Sequence, residues 1–147
     1  MVRRSNENEV KAIRALARVA RLLERSSGDL NLAHYRVLSA IAEGSERASR
    51  VADRLTLGKP TVSAAVESLT KRGLIVREDV AEDRRATTLA LTPAGEEALA
   101  AVDREMLGYL DDLLGRTENP AQVLDSLGQL GTALDEVAAE RAARKAR

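Results

Sequence analysis

The stretch DVAEDRRATTLALTPAG, Asp79 to Gly95, contains an acidic turn, two adjacent arginines and an alternating segment that leads straight into a helix start. Alternation of apolar and polar residues over 87–91 is typical of a half-buried strand, and residues 75–77 before the turn predict its hairpin partner. Thr92 is a suitable N-cap, and Pro93 fits the first helical position. The stretch therefore predicts a basic-tipped β-hairpin followed by a helix.

Two short apolar-periodic segments stand directly upstream, in RVADRLTLGKPTVSAAVESLTKRGLI. They predict one helix over about 49–55 and a second that runs to about Arg72, separated by Leu57, Gly58 and Lys59. Two helices followed by a hairpin form a winged helix-turn-helix, which places its second helix in a DNA major groove and its hairpin tip on the adjacent backbone or minor groove.

Long apolar stripes at helical spacing flank this unit on both sides, over about 6–26 and over 93–140 with a break at 117–120. A compact winged helix cannot cover such stripes, so we expect a homodimer. The fold class expected is mainly α with a small antiparallel β-wing. We place the winged helix-turn-helix at about 30–92, a helical dimerisation region at about 6–28 and 93–140, and a disordered basic tail at 141–147.

Composition excludes several classes of protein. The 147 residues are 44% hydrophobic and 31% charged, and no apolar run is long enough to cross a membrane. The absence of cysteine and the single histidine, His34, argue against disulfides, thiolate or histidine-rich metal sites and cysteine-based redox sensing. We expect a cytoplasmic protein that is not an enzyme, with no cofactor, no metal and no membrane association.

The net charge of +0 hides an uneven distribution. Residues 47–92 hold nine basic and six acidic residues, whereas 93–140 hold two basic and eleven acidic ones. Phosphate contacts dominate affinity for DNA, so a local basic surface matters more than the overall charge. The winged unit is therefore the part of the chain suited to approach DNA.

The helix that begins after Gly58 would bury one face and present small side chains on the other. Hydroxyls and methyl groups allow close approach to base edges, with methyl groups lying against thymine. A merely solvated outer face is the alternative, and the basic hairpin that follows favours DNA. Glu67 is expected to pair with Lys71 four residues later. The candidate DNA-contacting residues are Ser49, Lys59, Pro60, Thr61, Ser63, Ala64, Lys71, Arg77, Arg84 and Arg85.

The hairpin residues EDRRATTLALTPAG, together with LNLAHYRVLSAI and VADRLTLGKPTVSAAVESLTKRGLIVR, resemble the multiple antibiotic resistance regulator (MarR) family over nearly the whole chain. The resemblance implies a homodimer whose terminal helices interlock, a pseudo-palindromic operator and repression. It places Thr61, Ser63 and Ala64 on the base-reading turn and Arg85 in the minor groove. Where the family often has arginine, this chain has Ala64.

The resemblance also implies release from DNA by a small phenolic or anionic effector, bound between the dimerisation region and the winged helix. The candidate ligand-binding residues are Arg14, His34, Tyr35 and Leu38. For His34 a purely structural role is the alternative, since a lone helical histidine is more often a hydrogen-bonding partner within the fold. The rival function is a helical protein-interaction module of the same fold without DNA binding.

Overall fold

The computed structural model describes residues 2–26, 28–44, 47–80 and 83–145, with the backbone alone for 2–5, 26, 79, 80 and 83–87. Six helices and one hairpin follow each other along this part of the chain. They are α1 (Val2–Ser26), α2 (Leu32–Ala42), α3 (Ala48–Leu55), α4 (Lys59–Lys71), β1 (Ile75–Val80), β2 (Asp83–Leu91), α5 (Pro93–Leu114) and α6 (Pro120–Lys145). The expected fold class, mainly α with a small antiparallel wing, is confirmed.

Local chemistry sets the helix boundaries around the helix-turn-helix. The Asn31 side chain accepts a hydrogen bond from the backbone N–H of His34 at 2.8 Å and so caps α2. Gly58 is the N-cap of α4 and Pro60 lies in its first turn, as the sequence predicts. Gly73, with a φ of 71°, reverses the chain after α4 in the left-handed region that glycine enters without strain.

The hydrophobic core lies between α2, α3, α4, the hairpin and the first half of α5. Its largest fully buried side chains are Val37, Leu38, Val51, Val62, Val66, Leu69 and Ile75. Because α4 contributes one whole apolar stripe to this core, its opposite face is fixed outward.

The two strands are antiparallel and longer than the alternation pattern predicts. Ile75 pairs with Leu91, and the regular register continues to Asp79, which pairs with Thr87. It then shifts, because Val80 pairs with Asp83. The residues between Asp83 and Thr87, which include Arg84 and Arg85, therefore lie in an irregular part of β2 beside the turn.

The C-terminal helix corrects one expectation. Residues 141–145, which we predicted as part of a disordered tail, continue α6 to Lys145. The Lys145 ammonium pairs with the Asp53 carboxylate of α3, and Arg54 lies 3.6 Å from Asp135 of α6. These exposed ion pairs link α6 to α3, where Ala138 of α6 is buried, and basic residues in the last turn interact favourably with the helix dipole.

The first helix begins at Val2, ahead of the start near residue 6 that its apolar spacing indicates, and packs against α5. Among the helices described, none is both long and apolar enough to span a membrane.

Candidate DNA-binding surface and effector cavity

The outward face of α4 carries the residues that the sequence proposes as base readers. Val62, Ala65, Val66 and Leu69 are buried, whereas Pro60, Thr61, Ser63 and Ala64 are exposed. Lys59, at the first position of the helix, is exposed beside them. The structure thus brings these five candidates together on one accessible surface at the N-terminal end of the helix. That end is the one that contacts base edges in helix-turn-helix proteins.

The predicted pair between Glu67 and Lys71 is confirmed, with Nζ donating to Oε1 at 2.8 Å. This hydrogen bond lowers the pKa of the Glu67 carboxyl and raises the pKa of the Lys71 amine. The positive charge of Arg77 on β1 also lowers the pKa of Glu67, so Arg77 acts on the second half of α4. The positive charge of Lys71 is therefore partly compensated, unlike that of a lysine without an acidic neighbour.

The remaining candidates lie around this helix. Ser49 is exposed at the start of α3, and Arg77 is exposed on β1. The side chains of Arg84 and Arg85 lie outside the described residues, so their assignment stays a prediction from the sequence.

Two exposed arginines that sequence reasoning did not select lie at the start of α3, and one of them, Arg50, lines a groove between α3 and α6. Arg47 and Arg50 are exposed at the N-terminal end of α3. The first helix of a helix-turn-helix crosses the DNA backbone, so exposed arginines there are suited to phosphate contacts. Their place at the start of the helix that precedes the predicted recognition helix was the signal available in the sequence.

An apolar cavity of about 480 Å³ lies between α1, α2 and α5, and Leu127 of α6 also lines it. It opens onto the surface of the single chain, because its lining residues Leu107, Tyr109, Leu113 and Leu127 are exposed. Its lining includes Val19, Leu23, Met106 and Leu110. Its polar lining residues are Tyr35, Tyr109 and Asp103, and the Tyr35 hydroxyl donates a hydrogen bond to the Asp103 carboxylate at 2.9 Å. An apolar cavity with a few fixed polar groups is the usual make-up of a small-molecule site.

Burial raises the pKa of Tyr35 to about 12, with the hydrogen bond to Asp103 and the charges of Asp103 and Glu43 acting in the same direction. The phenol therefore stays protonated at neutral pH and remains a donor. Asp103 stands 68 residues away in sequence. No spacing rule joins the two residues, so the sequence held no signal for this pair.

The four candidate ligand-binding residues do not share one site. Tyr35 lines the cavity, whereas Leu38 is fully buried in the core. Arg14 lies beside a shallow groove formed by α1 residues. Neither Arg14 nor His34 is part of the described lining of the apolar cavity.

His34 lies on α2 in a different environment. Its Nδ1 atom is buried and has no hydrogen-bond partner among the described residues. Desolvation lowers its pKa, and the positive charge of Arg72 adds to the effect. The neutral imidazole is therefore the favoured form, as expected for a histidine inside the fold.

Comparisons with known proteins agree with this geometry. Residues 28–86 match the family model for the MarR family. The fold is similar to a crystal structure of a MarR family transcription regulator, at a TM-score of 0.73 and 20% identity over 94% of this chain and 93% of that one. The regulator BldR from Sulfolobus solfataricus gives a TM-score of 0.70 at 20% identity over 86% of this chain and 96% of that chain.

A structure of the transcriptional repressor CouR bound to a 23-mer DNA duplex is similar at a TM-score of 0.71 and 26% identity, covering 84% of this chain and 89% of that one. The sequence has no match among curated proteins. The family match lies on the helix-turn-helix, and the likeness of fold extends over the flanking helices. The helix-turn-helix part of the chain therefore matches the MarR family, and the fold of the whole chain is similar to that of MarR family transcription regulators.

Proposed function

We propose that this regulator is a homodimeric repressor that binds a pseudo-palindromic operator in double-stranded DNA and is released by a small phenolic molecule. The DNA-binding part of this proposal rests on the exposed N-terminal end of α4, where small side chains lie beside Lys59. The DNA-bound repressor CouR, with a similar fold, supports the same function.

Charge supports one orientation on DNA. The exposed basic residues Arg47, Arg50, Lys59 and Arg77 belong to α3, α4 and β1 or directly precede them. The segment 93–140 holds eleven acidic and two basic residues and forms α5 and most of α6. Phosphate repels an acidic surface, so the winged unit faces the DNA and the two terminal helices face away from it.

Selection of random duplex DNA by the purified protein tests the proposal. We expect an enriched inverted repeat whose half-sites are about one helical turn apart. Lys59→Ala should weaken binding to all sequences alike and flatten the slope of affinity against salt concentration, on logarithmic axes, by about one unit, because one phosphate is no longer neutralised. Ser63→Ala should instead change the preferred bases.

Arg104→Ala is the matched control for the removal of a positive charge, because Arg104 is exposed on α5, which is neither a helix of the helix-turn-helix nor a strand of the hairpin. It should leave affinity and salt dependence unchanged. No enriched sequence, with the protein folded, would favour the rival function, a protein-interaction module. Repression is supported if deletion of the gene that encodes this protein raises transcription of the genes beside the selected operator.

The effector part of the proposal rests on the apolar cavity. Asp103 at its wall accepts hydrogen bonds and repels anions, so a neutral phenol fits this cavity better than a carboxylate. In a dimer, an effector that binds more tightly when the two recognition helices are spaced unsuitably for the operator would favour release from DNA.

We expect 4-methylphenol to release the protein from its operator at lower concentration than 4-methylbenzoate. Leu110→Trp fills the cavity and should raise the 4-methylphenol concentration needed for release at least tenfold, with ligand-free DNA affinity within twofold of the parent. Gel-shift titrations measure both quantities. An unchanged release curve for a folded Leu110→Trp protein would contradict an effector site in this cavity.

A further inference from the structure

The exposed surface of α4 between Lys59 and Lys71 lacks the long side chains that pair with guanine and adenine. Pro60, Thr61, Ser63 and Ala64 end in methyl, methylene or hydroxyl groups. No arginine, asparagine or glutamine occurs anywhere in α4. The bidentate pairings that identify guanine and adenine need those long side chains or a lysine.

The second half of the helix does not compensate for this lack. The Glu67 carboxylate accepts a hydrogen bond from the Lys71 ammonium at 2.8 Å, and its negative charge is unfavourable beside DNA phosphate. The exposed Thr70 donates its hydroxyl to the backbone oxygen of Val66 at 2.7 Å, which directs that group into its own helix. The first turns of α4 are therefore the part free to approach base edges.

A methyl group reads one feature of the major groove, the C5-methyl of thymine. Ala64 exposes its methyl group on the surface that would face the bases, and its short side chain lets the helix backbone come close. Contact between the two methyl groups removes apolar area from water, which is favourable without any hydrogen bond.

We propose that this regulator reads its operator through thymine methyl groups, and that the base pair facing Ala64 in each half-site is an A·T pair with its thymine methyl against the Ala64 side chain. The inference rests on the proposed DNA binding and adds the chemical basis of its specificity. Lys59, at the first helical position, contacts phosphate and takes no part in this recognition of bases.

Two selections from random duplex DNA identify the base pair in question. The parent protein and Ala64→Arg are each used to enrich binding sites. Arginine at this exposed position can donate to both guanine acceptors, so one base pair per half-site should change to prefer guanine. The position that changes is the one facing residue 64, and the parent protein should prefer thymine there.

Replacement of that thymine by deoxyuridine in both half-sites removes the methyl group and keeps the base pairing. Each buried methyl contributes about a fourfold effect, so we expect operator affinity to fall about fifteenfold with both removed. For Ala64→Gly, the same replacement should change affinity less than twofold, because the methyl group that it contacts is gone. Ala100→Gly, an exposed alanine on α5, controls for the helix-destabilising effect of glycine and should retain the fifteenfold discrimination.

The possible outcomes distinguish the inference from the proposed function. If the parent enriches a site with guanine or cytosine at the position that responds to Ala64→Arg, or if deoxyuridine leaves affinity unchanged there, the thymine inference is overturned while DNA binding stands. If no variant enriches any DNA, the proposed function fails and the inference fails with it. Thymine at that position, together with weaker binding after deoxyuridine substitution, supports both.

Discussion

Gly95→Ala is expected to destabilise the protein by about 3 kcal/mol, because a side chain has no room at this position. A Cβ atom added to Gly95 would lie 1.9 Å from the backbone oxygen of Leu74. The same peptide oxygen accepts a hydrogen bond from the backbone N–H of Thr92 at 3.1 Å. Both clashing groups are backbone and cannot rotate away as a side chain could, so the start of α5 would have to move away from the segment between α4 and β1.

Gly128→Ala is the matched control, because a Cβ there meets nothing within 4 Å. Alanine in the interior of α6 should stabilise the protein by about 0.5 to 1 kcal/mol through helix propensity. Urea unfolding of the two variants and the parent measures both effects. A Gly95→Ala protein as stable as the parent would show that α5 does not pack against Leu74 as described.

Leu130→Glu is expected to weaken the dimer at least a hundredfold, equivalent to about 3 kcal/mol. In the single chain, large apolar side chains on α1, α5 and α6 stay exposed: Val10, Ile13, Leu16, Leu107, Tyr109, Leu113, Leu124, Leu127, Leu130, Leu134 and Val137. An exposed apolar surface of this extent is typical of a protein–protein interface. A carboxylate within this surface would have to lose its hydration when the dimer forms.

Analytical ultracentrifugation at micromolar concentration tests this expectation. The parent should sediment at about twice 15.9 kDa, and Leu130→Glu should sediment as a monomer or unfold. Thr132→Glu adds the same charge two residues later, about 200° around α6, and should leave the dimer intact. A folded parent that sediments as a monomer would refute the dimeric architecture.

Positions where local chemistry determines the structure were predictable from the sequence. The start of α5 is one example, since the Thr92 hydroxyl accepts from the N–H of Gly95 at 3.1 Å and Pro93 follows in the first turn. The buried and exposed faces of α4 are another, because helical spacing assigns them without knowledge of neighbours. The Glu67–Lys71 pair was predictable for the same reason.

Contacts between residues distant in sequence were not predictable in this way. The hydroxyl of Tyr35 and the carboxylate of Asp103 meet because α2 and α5 cross, and both helices had to be placed before the pair could be seen. Likewise, α6 continues to Lys145 with its last turn held by Asp53 of α3. An isolated basic, alanine-rich end carries no local sign of that partner.

The sequence by itself determined the order of the helices, the hairpin and the side of α4 that faces outward, because caps, turns and hydrophobic periods act over a few residues. Only the tertiary structure decided that Tyr35 lines an apolar cavity, that Leu38 lies in the core, and that the Nδ1 atom of His34 is buried without lining that cavity. Neighbours on one helix follow from a period of 3.6 residues, whereas the groups that share a cavity are set by how whole helices pack.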